Sequence, residues 1–137
     1  MPHVSAYLFF DGTCADAMRF YERTLGGKLS LMTGGEIPDG SQVPGNANRI
    51  VHARLDLLQG ALLASDWLAG NPYEEMKGFR VSLTYSTATE ARRVFEALAQ
   101  GGQVTMPMEK TFWSEAFGML TDRFGTPWMV NTESPRA

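Results

Sequence analysis

The sequence has little of what most metal sites and covalent cross-links are made from. Cysteine occurs once, at Cys14, so no disulfide forms within the chain. That single thiol fits a reducing compartment. Histidine occurs twice, at His3 and His52. No stretch approaches the roughly 18 apolar residues of a membrane span, and Met1-Pro2-His3-Val4-Ser5 has no basic region leading into an apolar run. Nor does any block of one charge stand out: 12 Lys and Arg are interspersed with 15 Asp and Glu, for a net charge of −3. A nucleic-acid partner would call for a basic stripe to replace phosphate counterions. The expectations are a cytoplasmic chain with neither membrane nor nucleic acid as partner.

What is present is an ordinary globular composition, 44% hydrophobic and 20% charged over 137 residues. A chain of this size fits one domain and buries roughly two thirds of its unfolded surface. Within it, one pattern occurs twice. Ala17, Phe20 and Tyr21 match Ala91, Val94 and Phe95 at an offset of 74, and Gly26-Gly27 matches Gly101-Gly102 at 75. Only two copies fit, so the repeat implies paired modules rather than a solenoid.

Each copy reads as strand, helix and then about three strands. Val4 to Phe10 is rich in β-formers and stops at Asp11-Gly12. Ala17, Phe20, Tyr21, Thr24 and Leu25 recur on one helical face, which Gly26-Gly27 terminates. Lys28 to Met32 follows as a strand, then a long loop over Thr33 to Asn48, then a hairpin of Arg49 to Leu57 and Ala61 to Asp66. After a linker over 67–78, the second copy has strands at Phe79 to Tyr85, Val104 to Pro107, Phe117 to Asp122 and Pro127 to Thr132. Its helix carries Ala91, Val94, Phe95, Leu98 and Ala99, with Thr87 or Thr89 as cap.

Alternation sorts the faces. Ala53, Leu55, Leu57, Leu62 and Ala64 share one side of the hairpin, which must lie under a helix, while His52, Arg54, Asp56, Leu63, Ser65 and Trp67 share the other. In Phe79 to Tyr85, Val81, Leu83 and Tyr85 oppose Arg80, Ser82 and Thr84. Two such modules would present their polar, aromatic-fringed faces as a concavity suited to a small ligand.

Two βαβββ modules in this length resemble the vicinal oxygen chelate superfamily, which includes glyoxalase I, bleomycin-resistance proteins and extradiol dioxygenases. The resemblance is to its PhnB-like branch, and it is carried by Tyr7-Leu-Phe-Phe-Asp-Gly-Thr-Cys-Ala-Asp-Ala-Met-Arg-Phe-Tyr, His52-Ala-Arg-Leu, Ala64-Ser-Asp, Val104-Thr-Met-Pro-Met-Glu-Lys-Thr-Phe-Trp and Phe117-Gly-Met-Leu-Thr-Asp-Arg-Phe-Gly-Thr-Pro-Trp-Met-Val-Asn. It implies an α+β fold of two βαβββ modules forming a curved mixed sheet, over a single domain 1–137 with modules at about 1–66 and 79–137. It also implies a homodimer. Metal-using members carry His or Glu on the first and last strands of each module, where the ion chelates substrate oxygens. Those positions fall here at or within one residue of Ala6, Leu63, Arg80 and Met129, and none suits such a metal. Neither metal nor cofactor is expected.

A small molecule on the inner face, anionic if Arg54 and Arg80 bind it, is the leading reading, and the contacts expected for it are Phe10, His52, Arg54, Ser65, Arg80 and Trp113. His52 is the best candidate for a catalytic group, because histidine is the side chain most often used as a general base; its alternative is a histidine satisfied by strand neighbours. Arg54 and Arg80 would suit a carboxylate or phosphate, unless they form salt bridges to Asp56 or Glu109. Trp113, in Thr111-Phe-Trp-Ser, would stack on a planar ligand or else pack between modules. Asp122 and Gly125 read as turn formers, Trp128 as facing the helix, and Cys14 as a helix-start thiol whose pKa can fall but which lacks an adjacent base. Two further readings are a lyase, isomerase or dioxygenase with a relocated metal site at His52 with Asp66 or Glu109, and an antibiotic-sequestering protein. Alternation puts Asp66 opposite His52, and a cationic inner face would not suit a cationic drug. No glycine-rich loop follows the first strand, so a nucleotide-like methyl donor finds no cradle.

Overall fold

The structure, a computed structural model, describes residues 1–37, 45 and 47–133. The chain divides into two compact units, Met1–Glu74 and Glu75–Ala137. Unit 1 runs β1 (Ala6–Phe10), α1 (Cys14–Leu25), β2 (Lys28–Thr33), a single 3-10 turn (Gly34–Glu36), β3 (Ile50–Leu57) and β4 (Gly60–Asp66). Unit 2 runs β5 (Val81–Tyr85), α2 (Ala88–Ala99), β6 (Gln103–Glu109), β7 (Phe117–Thr121) and β8 (Pro127–Thr132). The sheet orders are β1-β4-β3-β2 and β5-β8-β7-β6, the same topology twice. In each, the first strand lies parallel to the last and the remaining pairs are antiparallel. The repeat seen in the sequence is therefore a repeat of topology, and the fold is α+β with two four-stranded mixed sheets. Of the long loop after β2, residues 38–44 and 46 lie outside the described residues.

Each helix covers one sheet face with the residues its periodicity set apart. Ala17, Met18, Phe20, Tyr21 and Thr24 are buried on α1, and Ala91, Val94, Phe95 and Leu98 on α2. Beneath α1 lie Leu8, Phe10, Ala53, Leu55, Leu62 and Ala64, all under 5% exposed. At about 25 cal/mol per Å² of apolar surface, burying a side chain such as Phe10 or Leu55 stabilises the unit by about 2 kcal/mol. Phe10 is 0% exposed, and its ring lies 6.4 Å from that of Tyr21. This corrects its assignment as a ligand contact: alternation turns Leu8 and Phe10 under the helix and leaves Tyr7 and Phe9 on the open face. In unit 2, Trp128 is fully buried, and Thr87 caps α2 by accepting the Glu90 N–H at 3.2 Å.

The repeated Gly-Gly has two separate causes. Gly26 and Gly101 sit at φ +83° and +74°, where the chain leaves the helix in the left-handed region. Gly27 and Gly102 stand where a Cβ would run into the backbone carbonyls of Asp56 and Thr121, so the second glycine of each pair lets the chain pass against the neighbouring strand. Gly27 also has φ +90°, while nothing lies within 4 Å of a Cβ on Gly26.

Gly26→Ala is therefore expected to cost about 1 kcal/mol, and Gly27→Ala and Gly102→Ala about 2–4 kcal/mol each, measured by urea unfolding. Equal losses at Gly26 and Gly27 would refute the close-approach explanation.

Candidate functional site

The open face of unit 1 carries a cavity of about 550 Å³ at the top of β1 and β4. Its wall comes from Phe9 on β1, Arg49, Ile50 and Val51 at the start of β3, Ser65 and Asp66 at the end of β4, and Trp67, Leu68, Asn71 and Pro72 beyond it. The last four lie in the segment expected to be a bare linker. It is not one: the Trp67 N–H donates to the Phe10 carbonyl at 2.6 Å, extending the β1 pairing, and the Tyr73 hydroxyl donates to the Phe9 carbonyl at 2.6 Å. The linker's first half thus folds back on unit 1.

The two aromatic residues of the described lining, Phe9 and Trp67, belong to a longer row of rings. Tyr7 and Phe9 have ring centroids 4.9 Å apart, Phe9 meets Trp67 edge-on at 5.1 Å, and Trp67 meets Tyr73 edge-on at 6.2 Å. Such edge contacts orient rings as well as burying them. Ser65 pairs with Phe9 across β1 and β4 and is 6% exposed.

Below the cavity, Asp66 is 8% exposed and wholly committed. Its Oδ1 accepts the N–H of Gly12 at 2.9 Å and of Cys14 at 3.0 Å, and its Oδ2 accepts the N–H of Ile50 at 2.8 Å. A carboxylate facing the first turn of α1 meets the positive end of the helix dipole and satisfies an orphan donor there. Beside it, the Arg49 Nη1 donates to Asp11 Oδ1 at 3.1 Å and to the Trp67 carbonyl at 2.9 Å. Cys14 is fully buried next to this carboxylate, and burial first, then the Asp66 charge, pushes its thiol up to about 12. The lowered pKa that a helix start permits is overturned by desolvation.

Of the expected ligand contacts, Ser65 alone lines this cavity. His52 is exposed on β3 opposite Met32 and outside the lining. Arg54 is held by Asp56, Nε to Oδ1 at 2.6 Å, so its charge is already countered by the carboxylate named as its alternative. Arg80, in unit 2, donates from Nη1 to the carbonyls of Leu120 at 3.0 Å and Trp128 at 3.3 Å, clasping the ends of two strands; it borders a separate hollow with Phe79, Met119 and Met129. Trp113, also in unit 2, stacks edge-on with Phe112 at 4.7 Å and Phe117 at 5.4 Å. Asp122 is the turn former: Oδ1 accepts from Phe124 at 2.8 Å and Thr126 at 3.0 Å, and Oδ2 from the Trp128 indole at 2.8 Å. Strand parity could have found Phe9 in place of Phe10, and it had already placed Trp67 on the open face. Nothing local in the sequence shows that Asn71 and Pro72 turn back to the same cavity.

A model of the Glyoxalase/Bleomycin resistance protein/Dioxygenase superfamily matches residues 1–130, and the chain belongs to that superfamily. Protein YjdN of Escherichia coli (strain K12) is 35% identical over 140 residues, 93% of either chain. Among solved structures, protein PA1353 from Pseudomonas aeruginosa superposes with a TM-score of 0.89 at 43% identity, over 98% of this chain and 100% of that one. A putative 3-demethylubiquinone-9 3-methyltransferase, PhnB protein, from Bacillus cereus shares the fold at a TM-score of 0.77 and 24% identity, covering 96% and 99%.

The residues do not fit the divalent metal known in this superfamily. The open faces of the relevant strand pairs show Tyr7, Phe9, Leu63 and Ser65 in unit 1, and Ser82, Thr84, Met129 and Asn131 in unit 2. These supply hydroxyls, an amide and a thioether where imidazole or carboxylate is needed. No group of three or more His, Cys, Asp or Glu is gathered to hold an ion among the described residues.

Removing the Asp66 carboxylate strands three backbone donors, so Asp66→Ala should lower the unfolding free energy by about 3–5 kcal/mol. Denaturation of wild type and variant in urea measures it; a loss near zero would contradict the clasp. The thiol gives a pH test. The unfolded thiol ionises near its ordinary 9.0 and the folded one only near 12, so the native state holds the extra proton between these values. Stability should then fall as pH rises across that window, by up to about 1.4 kcal/mol per unit. At pH 8, Cys14 should resist Ellman's reagent until the protein is unfolded, and rapid labelling of the native protein would contradict this.

Proposed function

We propose that this chain binds a small, largely apolar and uncharged molecule in the unit 1 cavity, without the divalent metal used elsewhere in its superfamily. The observation that carries the reading is the cavity itself: about 550 Å³, walled by Phe9, Ile50, Val51, Trp67, Leu68 and Pro72, with Ser65 and Trp67 as polar points. Ligand sites commonly have this size and this balance of apolar wall to few polar groups. An anionic ligand is disfavoured, because the two charged residues among the described lining, Arg49 and Asp66, carry one charge of each sign. A cationic drug fares no better, since both Asp66 oxygens are engaged by backbone donors.

A relocated metal centre at His52 with Asp66 is disfavoured by the geometry. His52 stands outside the cavity, and Asp66 would have to abandon three hydrogen bonds to become a ligand. Catalysis is not part of the proposal: the candidate proton acceptor, His52, and the cavity do not coincide.

The test is titration of uniformly 15N-labelled protein with a naphthalene-based probe. Amide shifts are expected at Phe9, Ile50, Ser65 and Trp67, and Ser65→Leu, which narrows the cavity, should abolish them without unfolding the protein. EDTA should leave binding unchanged. Binding that disappears with EDTA and returns with zinc, nickel or manganese would overturn the metal-free reading.

A further inference from the structure

We propose that Trp67 is the polar anchor of this site, and that its indole N–H selects a flat, uncharged ligand bearing a carbonyl-type oxygen; the inference rests on the cavity reading above. Folding normally supplies every buried polar side-chain atom with a partner. Among the described residues, Trp67 Nε1 is the buried side-chain atom that has none. Trp128 shows the contrast within the same chain, its indole donating to Asp122 Oδ2 at 2.8 Å. Trp67 also lines the cavity, so its unpartnered Nε1 belongs to a ring that borders the place where a ligand would lie.

The chemistry of the missing partner follows from the donor. An indole N–H only donates, so what completes it is an acceptor oxygen or nitrogen, never an ammonium or guanidinium. The neighbouring polar groups do not compete for that acceptor on equal terms. Asp66 repels it, and the Nη1 of Arg49 is spent on Asp11 and the Trp67 carbonyl. A carboxylate ligand would bring a full negative charge beside Asp66, whereas a ketone or amide oxygen would not. The rings of Phe9 and Trp67, which meet edge-on at 5.1 Å, give the wall aromatic surface against which a flat ligand can lie. Nε1 is closed off from solvent as the rings stand, so the acceptor reaches it on a turn of the indole or of Phe9, which is 40% exposed. Exposed side chains make such turns within nanoseconds.

Three probes of one shape separate the possibilities: 2-acetylnaphthalene, 2-ethylnaphthalene and 2-naphthoate, each titrated into 15N-labelled protein. The ketone should bind about tenfold more tightly than the hydrocarbon, the scale of one recovered hydrogen bond to a buried donor, and more tightly than the carboxylate. The Trp67 indole proton should move downfield with the ketone and stay in place with the hydrocarbon. In Trp67→Phe the two should bind equally. If Phe9 and Ser65 respond to all three probes but the ketone preference is absent, or survives Trp67→Phe, the anchor is refuted while the cavity reading stands. If no probe perturbs Phe9 or Ser65, both fail. Should Trp67→Phe not fold, the indole shift in the wild-type protein decides alone, and no movement with the bound ketone overturns the proposal.

Discussion

One buried carboxylate organises unit 1. The last residue of β4, Asp66, ties together the loop after β1, the first turn of α1 and the first residue of β3 through three backbone donors. Those donors exist because a strand that runs into a helix start, beside another strand beginning its ladder, leaves N–H groups that neither element can satisfy. Their acceptor has to come from the strand lying between them. Once Asp66 turns inward to do this, alternation turns Ser65 and Trp67 outward, onto the open face. The polar points of the cavity are thus set by the same residue that closes the core beneath it.

Unit 2 meets the same need with different atoms. Thr132 pairs with Tyr85 as Asp66 pairs with Phe10, and it occupies the corresponding end of β8. There the Thr132 hydroxyl lies 2.7 Å from that of Ser114 and accepts the Glu115 N–H at 2.9 Å, while Thr87 caps α2 from its own side chain. Hydroxyls replace a carboxylate, and a local cap replaces a long-range one. In α1, Thr13 stands at the cap position but its side chain makes no capping bond, which leaves the work to Asp66. Topology fixes the requirement and sequence chooses how it is met, so the repeat is strong in pattern and weak in identity.

The architecture was legible because it rests on periodicities that local packing enforces. The helix faces of Ala17-Phe20-Tyr21 and Ala91-Val94-Phe95, the paired glycines and the inward row of the hairpin all came from spacing. The site was less legible because it depends on contacts between distant residues. Arg54 and Arg80 looked like ligand-binding cations; one is countered two residues away by Asp56 and the other is occupied by strand carbonyls, and neither partnership leaves a mark in composition. Phe10 and Phe9 differ by one residue and therefore by a whole sheet face. Trp67 to Pro72 read as a linker from its glycine, asparagine and proline, yet Tyr73 pins that segment to Phe9 across 64 positions of sequence.

What a site can do without a metal depends on which lone pairs and protons remain uncommitted. In unit 1, Asp66 accepts three hydrogen bonds, Cys14 keeps its proton under burial, and His52 lies outside the cavity. Among the described lining residues, the Ser65 hydroxyl is left as the one oxygen with nucleophilic chemistry, and acyl transfer would ask for a base in hydrogen-bond reach of it. Asp66, itself in the lining, is engaged by three backbone N–H groups, and none of the described lining residues is a histidine. On the proposed reading, the described lining residues contact a ligand through apolar surface and hydrogen bonds rather than through a free acid or base. On that reading, selectivity comes from shape and from the one buried side-chain polar atom without a partner among the described residues, the indole Nε1 of Trp67, ahead of the charged residues nearby.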